Sequence, residues 1–183
     1  QFSVQPLSLS NQIEDISSLI KASIPKGVRL CLNLAPDLPR IDADAGQIQQ
    51  VVMNLVMNSA EAIGSEGTLT ISAFARELEE EDQPANLSGA PLRAGTYVAL
   101  EVADTGSGMD EATRAKMFDP FFTTRFTGRG LGLAAVLGIV RGHRGGIAVS
   151  SEPGSGTTFR VFFPVQKQST SARQAEAGAL AKM

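Results

Sequence analysis

The chain has 183 residues, 43% of them hydrophobic, enough for one globular domain with a substantial core. A net charge of −3 gives no electrostatic footprint for nucleic acid, and no apolar run approaches the ~20 residues that a membrane helix needs. The single cysteine, Cys31, excludes an internal disulfide and agrees with a reducing cytoplasm; in the run Val28-Arg29-Leu30-Cys31-Leu32 it reads as a packed thiol.

Residues 1–10 read as a short strand or linker, and Gln1 in place of Met reads as the start of a fragment. Residues 11–23 place Ile13, Ile16, Leu19 and Ile20 at helical spacing, and Pro25 and Gly27 end that helix. Residues 28–34 form a β-rich run, followed by the turn Pro36-Asp37-Leu38-Pro39. Asp44, with Gln47 three residues on, predicts a capping box that opens a helix running to Ile63, where Gly64 stops it. Residues 68–76 alternate as a strand. The acidic run Glu77-Leu78-Glu79-Glu80-Glu81-Asp82 then reads as a solvated hairpin loop, loose as far as Gly95. Residues 97–103 are a strand and 109–118 a short helix, whereas 119–130 show no period. Residues 131–142 are helical, with Leu133, Val136, Leu137 and Val140 on one face. Residues 147–151 and 157–165 form a hairpin around Glu152-Pro153-Gly154-Ser155-Gly156. From residue 166 the composition turns Ala/Gln/Ser-rich, a frayed tail or linker after a domain spanning 1–165. Strands and helices do not alternate regularly, so the expected fold is an α/β (α+β) two-layer sandwich: a mixed, mostly antiparallel sheet with helices on one face.

Three segments carry candidate chemistry. On a helix at 100° per residue, Asn54, Asn58 and Glu61 fall on a polar stripe beside the apolar stripe of Ile48, Val51, Val52 and Leu55, at the edge of a cleft. Amide and carboxylate oxygens there suit Mg²⁺, which takes few protein ligands, although exposed helix asparagines would give the same pattern. Asp104-Thr105-Gly106-Ser107-Gly108 puts an acid and two glycines at a strand end, where a carboxylate can accept from an exocyclic amine and glycine permits close backbone approach; an ordinary Asp-Gly turn is the alternative. Gly128-Arg129-Gly130-Leu131-Gly132-Leu133 runs into a helix whose N-terminal amides suit phosphate. No Gly-Lys-Ser/Thr follows and no strand leads in, which argues against a Walker loop and a dinucleotide fold.

Taken together and in order, these segments resemble the ATP-binding catalytic domain of sensor histidine kinases, within the wider group of gyrase, heat-shock chaperone, histidine kinase and mismatch-repair (GHKL) ATPases. Residues 49–62 resemble its asparagine box, 104–109 its first glycine box, Phe118-Asp119-Pro120-Phe121-Phe122-Thr123-Thr124-Arg125 its phenylalanine box, and 128–133 its second glycine box. Coverage is about residues 3–165. The resemblance implies that Asp104 accepts from the adenine amino group and that Thr157 helps hold the same edge. It implies that Asn58 ligates Mg²⁺ on the phosphates of ATP, with Asn54 near the γ-phosphate and the metal shell. Gly106 and Gly108 would let the backbone pass close to the nucleotide, and Gly130 and Gly132 would let a lid, about 119–130, fold over the phosphates. Arg125, where many relatives have Lys, and Arg129 would neutralise phosphate charge, as phosphoryl transfer requires. Phe118, Phe121, Phe122 and Phe126 would anchor the lid or join the core.

Relatives that hydrolyse ATP carry a glutamate base one turn before the metal asparagine. Asn54 stands there and accepts no proton, so the sequence favours transfer to a histidine nitrogen; Glu61, two turns on, is not expected to substitute. The only histidine, His143, has no acidic sequence neighbour and reads as a surface or helix-end residue rather than the phosphoacceptor. The resemblance implies a partner hairpin of the same parent protein that carries that histidine and is missing from the fragment, and a response regulator or receiver domain downstream. It implies a cytoplasmic domain whose parent is free to be membrane-bound, with no nucleic acid or membrane contact of its own. The alternatives are a regulatory nucleotide-binding module without transfer, an anti-sigma-type serine kinase, and an ATPase with an unusual base.

Overall fold

A computed structural model describes residues 2–85, 87–88, 91–120, 122 and 132–165. In chain order the elements are β1 (Gln5–Leu7), α1 (Leu9–Asp15), α2 (Ser17–Ser23), β2 (Val28–Leu34), β3 (Ile41–Ala43), α3 (Ala45–Ile63), β4 (Gly67–Leu78), β5 (Leu87–Ser88), β6 (Gly95–Asp104), α4 (Glu111–Lys116), α5 (Gly132–Gly142), β7 (Gly146–Ser151) and β8 (Thr157–Pro164). Six strands form one sheet in the order β2-β4-β6-β8-β7-β5. Only the β2–β4 pair is parallel, which makes the sheet mixed and mostly antiparallel, as expected.

Side chains alternate across the strands. Leu69, Ile71, Val98, Leu100, Val102, Phe159, Val161 and Phe163 meet Ile13, Ile20, Ile48, Val52, Leu55, Val136 and Val140 of the helices in the main core. Burying side chains of this size contributes about 1.5–3 kcal/mol each. The opposite face carries a second, smaller cluster of Leu78, Leu92, Tyr97, Ala99, Ala148 and Phe162. Glu79, Glu80, Glu81 and Asp82 are exposed, as the acidic run predicted, but Glu77 and Leu78, expected in the same loop, end β4, and Leu78 is buried. The stretch beyond them is better fixed than expected: the Gln83 amide donates to Leu92 O and accepts from Leu92 N, at 2.9 and 2.7 Å, and Leu92 is buried. Cys31 is half-buried; its parity opposes that of Leu30 and Leu32, which pack on the main core, so it sits on the other sheet face.

Four readings change. The first helix begins at Leu9, capped by Ser8, and breaks at Ile16 (φ −99°, ψ 8°) into α1 and α2, although Ile13, Ile16 and Ile20 all face the core. Residues 5–7, within the stretch read as a short strand or linker, pair antiparallel with residues 41–43, a partner strand that sequence reading missed. The capping box at α3 is half formed: Asp44 Oδ1 accepts from Gln47 N at 3.1 Å, but the Asp44 N–H donates to His143 Nε2, at 3.2 Å. His143 does follow the end of α5, but it is buried (7% exposed) rather than on the surface. The tail from residue 166 and most of the expected lid lie outside the described residues.

Candidate functional site

The C-terminal end of β6 places Asp104 between Leu69 of β4 and Thr157 of β8. The carboxylate is 7% exposed, and Oδ1 accepts from Gly106 N at 2.8 Å and Thr157 N at 3.2 Å. Two charge-assisted bonds from backbone amides hold that oxygen in place. Thr157 is buried beside it, 2.7 Å from Ser151 Oγ, and that same hydroxyl accepts from Met109 N at 2.8 Å.

The loop after Asp104 is wedged between two backbones. A Cβ on Gly106 would lie 2.5 Å from the carbonyl carbon of Ala62, and Ser107 N donates to Ala62 O at 3.0 Å, so the loop abuts the last turn of α3. On its other side Gly108 (φ +69°) would meet Glu152 O at 1.9 Å, and Gly154 N donates to Ser107 O at 2.7 Å. Thr105 Oγ1 accepts from Thr68 N at 2.9 Å and ties the loop to β4. The β7–β8 turn closes the arrangement: Gly156 (φ +79°) would meet Asp104 O at 1.9 Å. Sequence reading did not single out Gly156 or Ser151. The signal was a turn holding two glycines, and only contact separates them, since Gly154 (φ +80°) has nothing within 4 Å of its Cβ position.

Asn54 and Asn58 stand half-buried on α3, one turn apart, on the length of helix leading to Ala62. Asn54 Nδ2 donates to Gly132 O, the first residue of α5, at 3.1 Å. The structure therefore gathers Asn54, Asn58, Asp104, Gly106, Gly108, Gly132 and Thr157 around the C-terminal half of α3 and the ends of β6 and β8. Arg125, Arg129 and Gly130 lie outside the described residues, as do Phe121 and Phe126; Phe118 packs against the core and Phe122 is half-buried. Among the described residues no group of three or more His, Cys, Asp or Glu side chains comes together to hold a metal.

Residues 43–167 match the family of histidine kinase-, DNA gyrase B- and HSP90-like ATPases. The chain belongs to that family. The mixed sheet with helices on one face is thus the fold of an ATP-binding domain of this ATPase family. It is 37% identical over 160 residues to the sensor kinase CckA of Brucella abortus, covering 86% of this chain and 17% of that protein. The catalytic domain of histidine kinase ThkA superposes with a TM-score of 0.69 at 27% identity, covering 89% of this chain and 96% of that one. Full-length ShkA in complex with AMPPNP superposes with a TM-score of 0.71 at 25% identity, covering 92% of this chain and 32% of that one. The chain spans 17–42% of the length of the curated relatives it matches.

Proposed function

We propose that this domain binds Mg-ATP and transfers its γ-phosphate to a histidine on a dimerisation hairpin of a sensor histidine kinase, in the cytoplasm, with a response regulator or receiver domain taking the phosphoryl group onward. The buried carboxylate of Asp104, held by two backbone amides, carries the reading, because its rigid acceptor suits the exocyclic amine of adenine. Thr157 lines the same edge. Gly106 and Gly108 leave no Cβ between the loop backbone and its neighbours, which keeps the wall thin beside a base.

Asn58 offers one amide oxygen, which fits a cation that takes most of its ligands from phosphate and water. A bound Mg²⁺ would spread the charge of the phosphates during transfer. Asn54 stands one turn earlier, and Gly132, Gly130, Arg129 and Arg125 would close over the phosphates from the lid side. The amide at Asn54 also favours transfer over hydrolysis: it can take no proton from water, whereas neutral imidazole is itself a nucleophile.

Calorimetric titration of ATP and ADP, with and without Mg²⁺, tests the site. Wild type is expected to bind both, Asp104→Ala to abolish binding and Asn58→Ala to remove the Mg²⁺ dependence. Labelling of a separately supplied histidine-containing hairpin then tests transfer. Binding without labelling would leave a regulatory module, and a folded wild type that binds neither nucleotide would overturn the assignment.

A further inference from the structure

Nothing in the proposed chemistry uses His143, yet its side chain is buried and engaged at both ring nitrogens. Its ring is 7% exposed. Nδ1 stands 2.8 Å from Ile139 O and therefore donates, while Nε2 accepts from Asp44 N at 3.2 Å. That pattern assigns the neutral Nδ1–H tautomer. The ring meets Phe163 of β8 and Phe2 edge-on, with centroids 6.1 and 5.7 Å away. The residue it grips is the N-cap of α3, whose carboxylate also accepts from Ser3 N at 2.7 Å and Gln47 N at 3.1 Å.

The two helices that reach the site are thereby joined at two points. At one, His143 just beyond α5 holds Asp44 just before α3; at the other, Asn54 of α3 holds Gly132 at the start of α5. Ten residues separate Asp44 from Asn54 and eleven separate Gly132 from His143, about 15 and 17 Å at the helical rise. The helices therefore run antiparallel with matched spans between the two joints. Sliding α5 on α3 breaks both contacts or neither.

We propose that His143 is a positioning residue for the nucleotide site: by fixing α5 against the N-cap of α3 it keeps Gly132 on Asn54, and so holds the Asn54 side chain in place at that site. The proposal rests on the ATP-site reading for its functional consequence, but the geometric coupling is measurable without nucleotide.

Two isosteric variants separate the ring nitrogens. His143→Gln keeps an acceptor near the Nε2 position; His143→Asn keeps a donor near Nδ1 and loses the acceptor. In nucleotide-free protein, His143→Asn is expected to remove the exchange protection of the Asn54 side-chain amide by NMR, and His143→Gln to preserve it. ATP affinity by calorimetry is expected to fall about tenfold in His143→Asn, an ordinary coupling between contacting groups, and to stay within about twofold in His143→Gln. Leu78→Ala, in the cluster on the other sheet face, supplies a stability loss without touching either joint and should leave ATP affinity unchanged. An Asn54 amide that stays protected in His143→Asn would overturn the proposal, as would equal weakening of ATP by Leu78→Ala at matched stability. If wild type binds no ATP, the nucleotide reading fails, and the Asn54 amide alone still decides the role of His143.

Discussion

Gly156→Ala and Gly154→Ala form a matched pair that tests whether the β7–β8 turn seats Asp104. Both glycines have a positive φ, +79° and +80°, where an L side chain is strained, so each variant carries a backbone cost of about 1 kcal/mol. Their surroundings differ. At Gly154 the added methyl meets nothing within 4 Å; at Gly156 it would lie 1.9 Å from Asp104 O, 2.9 Å from Asp104 C and 3.2 Å from Thr105 Cα. Those atoms must separate by more than about 1 Å to reach even a tight contact. Asp104 is hydrogen-bonded into the sheet on both sides, so the turn moves rather than the strand. The Thr157 amide then leaves the carboxylate and the Ser151–Thr157 contact opens. The expected cost for Gly156→Ala is about 2–4 kcal/mol, against about 1 for Gly154→Ala. Thermal unfolding measures the first effect and ATP calorimetry the second: Gly154→Ala should bind as wild type, and Gly156→Ala should lose most of its affinity. Wild-type affinity in Gly156→Ala would refute the argument that this turn holds the carboxylate in place.

Two further outcomes follow from buried or capped polar groups. Ser59 is fully buried on α3, and its Oγ has no hydrogen-bond partner among the described residues, so Ser59→Ala should raise stability by about 1 kcal/mol in denaturant unfolding; a clear loss would show that the hydroxyl is satisfied. The amides of Ser3 and then Gln47 hold the Asp44 carboxyl below its ordinary value of 3.8. A depressed folded value means that its stabilisation is complete above 3.8 and is lost as pH falls through the lower, folded value; wild type should therefore lose more stability than Asp44→Asn on going from neutral pH to below 3.8, and equal losses would sink this assignment.

What the sequence disclosed was whatever depended on local spacing. The nineteen-residue helix at Ala45–Ile63 shows its period within itself and its cap and stop in the residues on either side, and the Asp-Thr-Gly-Ser-Gly loop sits beside a strand with unambiguous alternation. What stayed hidden depended on partners distant in sequence. The β1–β3 ribbon joins two three-residue segments, each too short to show a period, whose registers are 34 to 38 positions apart. Gln47 promised a reciprocal cap that the Asp44 amide does not make, because an imidazole 99 residues away takes that donor. His143 looked exposed because it stands among glycines and arginines; Phe2 and Phe163, from opposite ends of the chain, enclose it. The second cluster was missed for the same reason, since Leu92 lies in a stretch with no pattern of its own and gains its place only from Gln83 and the far face of the sheet.

The ribbon at the start of the chain also bears on how the fold can be reused. Ile41 bridges Val165, and Phe2, Val4 and Val165 line one groove together with Gly95, at the beginning of β6. Asp104 stands at the other end of that ten-residue strand, about 30 Å away. The first and last described residues, Phe2 and Val165, therefore stand at one pole of the domain. A unit cut from residue 2 to residue 165 could thus be spliced into a loop of another protein without polypeptide crossing the opposite pole. The domain has the geometry of a plug: its first and last described residues at one end, the Asp104 loop at the other.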